Sequence, residues 1–167
     1  MATFALRPAL PGDEAFLRSM LHEAAYWRQD RSDRPPADVA LASAELALYV
    51  SNWGRAGDRG IIAAAEAEDL GAAWYRRFSR EEHGYGFIDE DTPEVTIAVA
   101  APHRRAGVGR ALLAALLAQA RLDGLPALSL SVEADNPARH LYQRMGFVLV
   151  ESSGSSQTMR AIILGAP

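Results

Sequence analysis

Apolar residues recur at helical spacing in four places along the chain. Phe16, Leu17, Met20, Leu21, Ala24 and Trp27 form the first stripe, after a Pro11-Gly12-Asp13 turn that offers Asp13 as N-cap. Val39, Ala42, Leu46, Tyr49, Val50 and Trp53 predict a second helix over 37–53. Leu112, Leu113, Leu116, Leu117 and Ala120 predict a longer one after Gly107; it ends near Leu122, with Arg121 in its last turn, Gly124 at C′ and Pro126 beyond. Asn136-Pro137 reads as N-cap plus first helical residue of a short fourth helix carrying Ala138, Leu141, Tyr142 and Met145 and closed by Gly146. Strand-like runs occupy 3–7, 61–66, 71–78, 94–99, 127–132, 147–150 and 158–164, with a hairpin turn at Glu68-Asp69-Leu70-Gly71. Residues 28–36, 54–60 and 152–156 read as loops. The polar insert 79–92, with Gly84-Tyr85-Gly86-Phe87 at its centre, reads as an ordered one.

The order is β-α-α-β-β-β-α-β-α-β-β. Strands joined by short turns predict an antiparallel first half. The strand–helix–strand unit over 94–132 needs a crossover, so its two strands should be parallel. The expected fold is α/β (α+β), a mixed, mostly antiparallel sheet with one parallel strand pair and helices on both faces. No repeat or linker divides it, so one domain over 1–167 is expected. In the strand over 94–99, Glu94, Thr96 and Ala98 share one face, and Val95, Ile97 and Val99 the other.

The turn after that strand is where chemistry concentrates. Ala100-Ala101-Pro102-His103-Arg104-Arg105-Ala106-Gly107-Val108-Gly109-Arg110 leads from an apolar strand into an apolar helix. A helix start has unpaired N–H groups and the positive end of the peptide dipole, glycines let a ligand approach the backbone, and three arginines add charge. A phosphate or pyrophosphate suits such a turn; a plain surface turn between strand and helix is the alternative.

Composition narrows the guest. The chain has no cysteine, which excludes disulfides, thiolate metal sites and cysteine nucleophiles. All 17 basic residues are arginine, so a Schiff-base lysine and the P-loop lysine are both excluded. A net charge of −4 counts against a nucleic-acid or anionic-membrane surface. Neither a signal peptide nor a spanning run is legible, and a cytoplasmic location is expected. A dinucleotide fingerprint could use Gly107 and Gly109, but Leu112 fills its third small position and only one parallel unit is present.

Arg104-Arg105-Ala106-Gly107-Val108-Gly109 fits the pattern Gln/Arg-x-x-Gly-x-Gly/Ala, and Asn136-Pro137-Ala138-Arg139-His140-Leu141-Tyr142-Gln143-Arg144-Met145-Gly146-Phe147 fits Asn, then Leu-Tyr, then Gly-Phe. In this order and spacing the pair resembles the GNAT superfamily of N-acetyltransferases. The motifs span about 95–147; the first 60 residues match in layout alone. The resemblance implies acetyl-CoA as cosubstrate, with its pyrophosphate on the backbone from Arg104 through Arg105, Ala106, Gly107, Val108 and Gly109 to Arg110. It implies a pantetheine arm beside Ile97, Ala98 and Val99, a cofactor contact at Asn136, and Tyr142 facing the thioester sulfur as general acid. No metal is implied. Ala101 stands where the family often has proline. Arg105 stands where it often has glycine; either the turn wraps less tightly or Arg105 takes an ordinary conformation and points outward.

The reaction so implied is direct attack of a primary amine on the thioester in a ternary complex. An alkyl amine with a pKa near ~10.4 is almost wholly protonated at neutral pH, so a base or water relay is needed. Glu94, opening the central strand, is the first candidate, against a plain reading as a solvated strand end. Glu66, Glu68 and His83 follow, and His103 and His140 read as bystanders. Tyr142 lies on an apolar stripe and so reads also as core; both roles hold if the ring packs and the hydroxyl faces the site. Trp27, Trp53, Trp74 and Tyr75 are either core or acceptor-pocket wall. The acidic insert is either a solvated loop or a lure for a cationic amine. The acceptor is expected to be a small-molecule, amino-acid or antibiotic-like amine, with a peptide or protein amine as second class. A homodimer is common among similar proteins and an exposed edge strand could mediate it. A non-catalytic acyl-CoA sensor or assembly domain is the alternative from a different functional class.

Overall fold

The computed structural model describes residues 3–28 and 33–164; part of the loop expected over 28–36 lies outside them. Seven strands, β1 (Ala5–Pro8), β2 (Arg59–Ala64), β3 (Asp69–Arg76), β4 (Glu94–Val99), β5 (Ala127–Glu133), β6 (Val148–Ser153) and β7 (Ser156–Ile162), form one sheet in the spatial order β1-β2-β3-β4-β5-β7-β6. All neighbours are antiparallel except β4 and β5. Helices α1 (Glu14–Ala25), α2 (Ala37–Ala40), α3 (Ala44–Ala47), α4 (Val108–Leu122) and α5 (Ala138–Arg144) complete the fold.

Alternation along β4 divides the core in two. Val95 joins Leu112, Leu113 and Leu116 of α4, Leu128 and Leu130 of β5 and Tyr142 of α5, with Ile97 and Val99 packed against them. Ala98 joins Leu17 and Leu21 of α1, Trp74 of β3, Tyr49 and Trp53. Helices therefore lie on both faces, as expected. α4 also ends as expected: Gly124 has φ +69, and Leu125 N–H reaches back to the Ala120 carbonyl at 3.0 Å.

The second predicted helix is not continuous. It forms two single turns, α2 and α3, followed by further turns. Ser43 is extended, and its Oγ accepts from Leu46 N–H at 3.3 Å, restarting the helix after α2. Asn52 at φ +56 ends the segment. Its aromatic residues are held by distant partners: Trp53 Nε1 donates to the Leu10 carbonyl, and Trp74 Nε1 to that of Tyr49. The buried Arg76 guanidinium binds both oxygens of Asp58 at 2.7 and 3.1 Å and the carbonyls of Leu48 and Ser51, fixing this segment on the sheet.

Smaller differences follow from local bonding. Asp13 precedes α1, but its carboxylate accepts from Leu10 N–H and from Arg7 instead of capping the helix. The β2–β3 turn lies at 65–68, closed by Ala65 N–H to the Glu68 carbonyl, slightly ahead of the expected position. Pro8 ends β1, an edge strand that tolerates a missing N–H.

Candidate active site

The one parallel contact makes the site. β4 and β5 share a single ladder pair, Glu94 with Ser129, supported by Ser129 N–H to the Pro93 carbonyl at 3.0 Å. Beyond it the strands part. Their facing edges, Val95 to Val99 and Leu130 to Glu133, line a cleft of about 1330 Å³. Unpaired strand edges carry free backbone donors and acceptors, so this gap is suited to an extended guest.

At one end of the cleft stands the basic turn. Gly107 is the residue before α4 and has φ +83, a conformation glycine adopts without penalty. The first amides of α4 have no partner inside the helix. Gly109 lines the cleft; a Cβ there would meet only Leu141 Cδ2 and Val99 Cγ2, each at 3.7 Å. The protein therefore leaves room at Gly109, and the glycine is needed by no protein contact.

Arg105 has φ +62, so the turn wraps through the left-handed region that the family's glycine would suit; the ordinary conformation considered for it is not adopted. Its side chain is exposed. A non-glycine residue there costs roughly 1 kcal/mol. Arg104 lines the cleft but is engaged: Nε donates to the Val99 carbonyl at 3.0 Å, and the guanidinium pairs with Glu23 of α1 at 2.8 Å. It ties the turn to strand and helix. Arg105 and Asn136 also line the cleft, whereas Ala106, Gly107, Val108 and Arg110 do not; Val108 is in the core. Asn136 Oδ1 accepts from Ala138 N–H at 2.9 Å, so the side chain caps α5 and keeps its amide NH₂ free to donate to a guest.

Glu94 marks the closed end of the cleft. It is not a solvated strand end: it is 2 % exposed. Its Oε1 accepts from Tyr49 O–H at 2.6 Å and from Gly86 N–H at 2.9 Å. Burial pushes its pKa up to about 7, against the opposing pull of those two hydrogen bonds and of His83. Tyr49 O–H in turn accepts from Tyr85 N–H at 2.7 Å, and burial raises the Tyr49 hydroxyl far above its ordinary value. The insert is pressed onto this carboxylate. A Cβ on Gly84 would lie 2.2 Å from Tyr49 Oη and 2.6 Å from Glu94 Oε2, and one on Gly86 2.6 Å from the Leu130 carbonyl carbon. The two glycines are required by close approach.

Tyr142 lies on the other side of the same cleft. Its ring packs edge-on to Phe147 at 6.2 Å, and burial raises its pKa to about 12. It is thus both core and cleft wall. Of the tryptophans, Trp27 lines the cleft, and Trp53 and Trp74 are core, as is Tyr75. Glu66 and Glu68 sit on the β2–β3 turn, away from the cleft; Glu68 pairs with His103 at 3.1 Å.

Sequence reasoning missed three parts of the site. Tyr49 holds Glu94 from 45 residues away. Trp27 Nε1 and Arg28 both donate to Glu133, at 3.2 and 3.3 Å, and Arg28 also reaches Asp135 at 2.5 Å, joining the end of α1 to the end of β5 across the cleft. Ser131 and Ser156 share a hydrogen bond of 2.9 Å on the cleft wall. No local signal marks any of these. Among the described residues no helix is long and apolar enough to cross a membrane, and no group of three or more His, Asp and Glu could hold a metal ion.

Comparison with known proteins agrees with this geometry. The family model described as "Acetyltransferase (GNAT) family" matches residues 16–147. The chain is 33 % identical over 132 residues to the mycothiol acetyltransferase of Brachybacterium faecium, a match that covers 75 % of this chain but 36 % of that protein; the chain thus spans about a third of the relative's length. Among solved structures, the ribosomal-protein-alanine N-acetyltransferase of Brucella melitensis superposes with a TM-score of 0.68 at 23 % identity, covering 95 % of this chain and 99 % of that one. YncA of Salmonella typhimurium, solved with its cofactor acetyl-CoA, does so with a TM-score of 0.66 at 21 % identity, covering 99 % and 98 %. At those identities the structures speak for the fold, and the family model, spanning most of the chain, speaks for the family. The chain belongs to the acetyltransferase (GNAT) family, a family of acetyl-CoA-dependent acyltransferases.

Proposed function

We propose that the chain moves an acetyl group from acetyl-CoA to a primary amine by direct attack in a ternary complex. One observation carries the reading: the splay between β4 and β5 brings an anion-receptive turn, a buried carboxylate and a phenol to a single cleft. The backbone from Arg104 to Arg110 would receive the pyrophosphate, and the free edge of β4 at Ile97, Ala98 and Val99 the pantetheine arm. Bound acetyl-CoA supplies the activated acyl group.

The chain's own residues manage two protons. Glu94, with a pKa of about 7, is poised to take one from the incoming ammonium and still exist largely as carboxylate just above neutral pH. The residue lines the cleft, where a proton can reach its carboxylate directly or through water. Tyr142, with a pKa of about 12, stays protonated and can give its proton to the departing thiolate. The bridge of Trp27 and Arg28 to Glu133 and Asp135 spans the cleft, which favours a small amine over a protein terminus as acceptor.

Calorimetric titration of acetyl-CoA into wild type and Gly107→Asp tests the placement of the pyrophosphate. Nothing lies within 4 Å of a Cβ at Gly107, and aspartate tolerates a positive φ better than most residues, so the variant should fold. Its charge should weaken binding about tenfold or more, a difference of ~1.4 kcal/mol at least; equal affinity would remove the pyrophosphate from this turn. Gly109→Ala carries a different signature. The methyl group meets only ordinary contacts and alanine favours a helix, so the melting temperature should hold or rise while acetyl-CoA affinity drops severalfold. A parallel loss of stability and affinity would show that Gly109 serves packing instead.

A further inference from the structure

Three buried side-chain polar atoms among the described residues lack a hydrogen-bond partner: Glu94 Oε2, Ser129 Oγ and Arg160 Nε. Buried polar atoms are nearly always paired, with protein or with ordered water, so each calls for an explanation. These three are not scattered. Glu94 pairs in register with Ser129 across β4 and β5, and Ser129 with Arg160 across β5 and β7. Residues in register project to the same side of a sheet. Leu128, Leu130, Met159 and Ala161 pack on the α4 side, so Ser129 and Arg160 occupy the opposite one, with Glu94. The row therefore runs acid, hydroxyl, guanidinium, and Gly84 and Gly86 of the insert press onto its Glu94 end.

Neighbouring side chains in such a row have Cβ atoms about 5 Å apart, too far for a direct bond between short side chains but the right span for one bridging water. The chemistry is complementary. Arginine Nε–H donates, a serine hydroxyl donates and accepts, and a carboxylate accepts. We infer that Glu94, Ser129 and Arg160 bind an ordered water behind the cleft, and that Ser129 and Arg160 act through it as positioning residues for Glu94. The water accepts from Arg160 Nε–H, shares a hydrogen bond with Ser129 Oγ and donates to Glu94 Oε2. Neither Ser129 nor Arg160 lines the cleft, so this support reaches the carboxylate from the side away from the acceptor.

The consequence is for the proton affinity of Glu94. The groups facing it are Tyr49 from the segment after α3, His83 and the Gly86 amide from the insert, and Ser129 from β5; Arg76, its register partner on β3, is spent on Asp58. Hydrogen bonds to a carboxylate favour its charged form, so removing the bridging water raises the pKa.

The inference rests on the reading of Glu94 as base, and its test separates the two. The pKa of the Glu94 carboxyl is followed by carbon NMR in wild type, Ser129→Ala, Ser129→Thr and Arg160→Met, and the pH profile of kcat/KM is measured on the same proteins. Ser129→Ala and Arg160→Met should each raise the carboxyl pKa by roughly one unit, tenfold in proton affinity, while Ser129→Thr, which keeps the hydroxyl, leaves it near the wild-type value. If Ala and Thr shift it equally, or if no variant moves it, the bridging water is overturned. A carboxyl pKa that moves while the kinetic profile stays fixed upholds the water and overturns Glu94 as base. Should Ser129→Ala not fold, Arg160→Lys decides instead: it keeps the positive charge and removes the Nε–H donor, so an unmoved carboxyl pKa overturns the water.

Discussion

Glu94→Gln should lower turnover by about 10² to 10⁴-fold and abolish the acid limb of the pH profile. In the wild-type protein kcat/KM should rise with pH and level off above about 7, as the carboxyl loses its proton and can accept one from the amine. Glutamine keeps the oxygen that Tyr49 and Gly86 address, so the variant should retain the fold and bind acetyl-CoA as before. Stability supplies an independent reading. The folded pKa of Glu94 lies above its ordinary value of 4.5, so the native state binds this proton more tightly than the unfolded chain. The contribution is full below about pH 4.5 and is lost as pH rises through about 7, on the order of 3 kcal/mol in all. Denaturant melts of the two proteins at mildly acidic and mildly alkaline pH isolate it: the wild type should weaken relative to Glu94→Gln as pH rises. A variant with undiminished turnover would take Glu94 out of the reaction whatever its pKa.

Tyr142→Phe should cost about 10²-fold in turnover with little change in acetyl-CoA affinity. The ring is held by the core and by Phe147, and phenylalanine preserves both contacts. The hydroxyl has no partner to lose within the described protein, so stability should change by less than about 1 kcal/mol. Because its pKa is raised to about 12, Tyr142 remains a proton donor through the neutral range and should impose no alkaline limb near neutral pH. The loss should be largest for amines whose reaction depends on thiolate departure, and rapid-mixing kinetics of the acyl-transfer step would register it. Unchanged turnover would leave Tyr142 a core residue and no more.

The parts of the molecule that were legible in the sequence are those decided within a few residues. The helix that became α4 shows its buried stripe, its glycine start and its glycine stop in consecutive positions, and the turn before it shows its anion chemistry in the same way. Tyr142 could be read as both core and site because stripe and motif coincide there. The segment over 37–53 misleads for the complementary reason: its apolar spacing is helical, but Ser43 restarts the chain and long-range bonds from Arg76 and Trp74 then hold the turns that follow. Arg105 shows a similar limit, since its left-handed conformation is imposed by the wrap of the turn and not by any preference of arginine. The grip of Tyr49 on Glu94 and the Trp27–Glu133 bridge join residues 45 and 106 positions apart, and no periodicity carries such pairs. Glu94 could be named as a candidate from its place on a strand, but its burial depends on an insert that has neither helix nor strand of its own.

Acetyl transfer to an amine within the β4–β5 cleft is tested most directly by release of free CoA thiol from acetyl-CoA across a panel of small amines, amino acids and peptides, with mass spectrometry of the acceptor. Thiol release should depend on the amine, match acetylated product mole for mole and be greatest with a small primary amine. Tight CoA binding with no turnover on any amine would contradict it and mark the chain as a CoA-binding module.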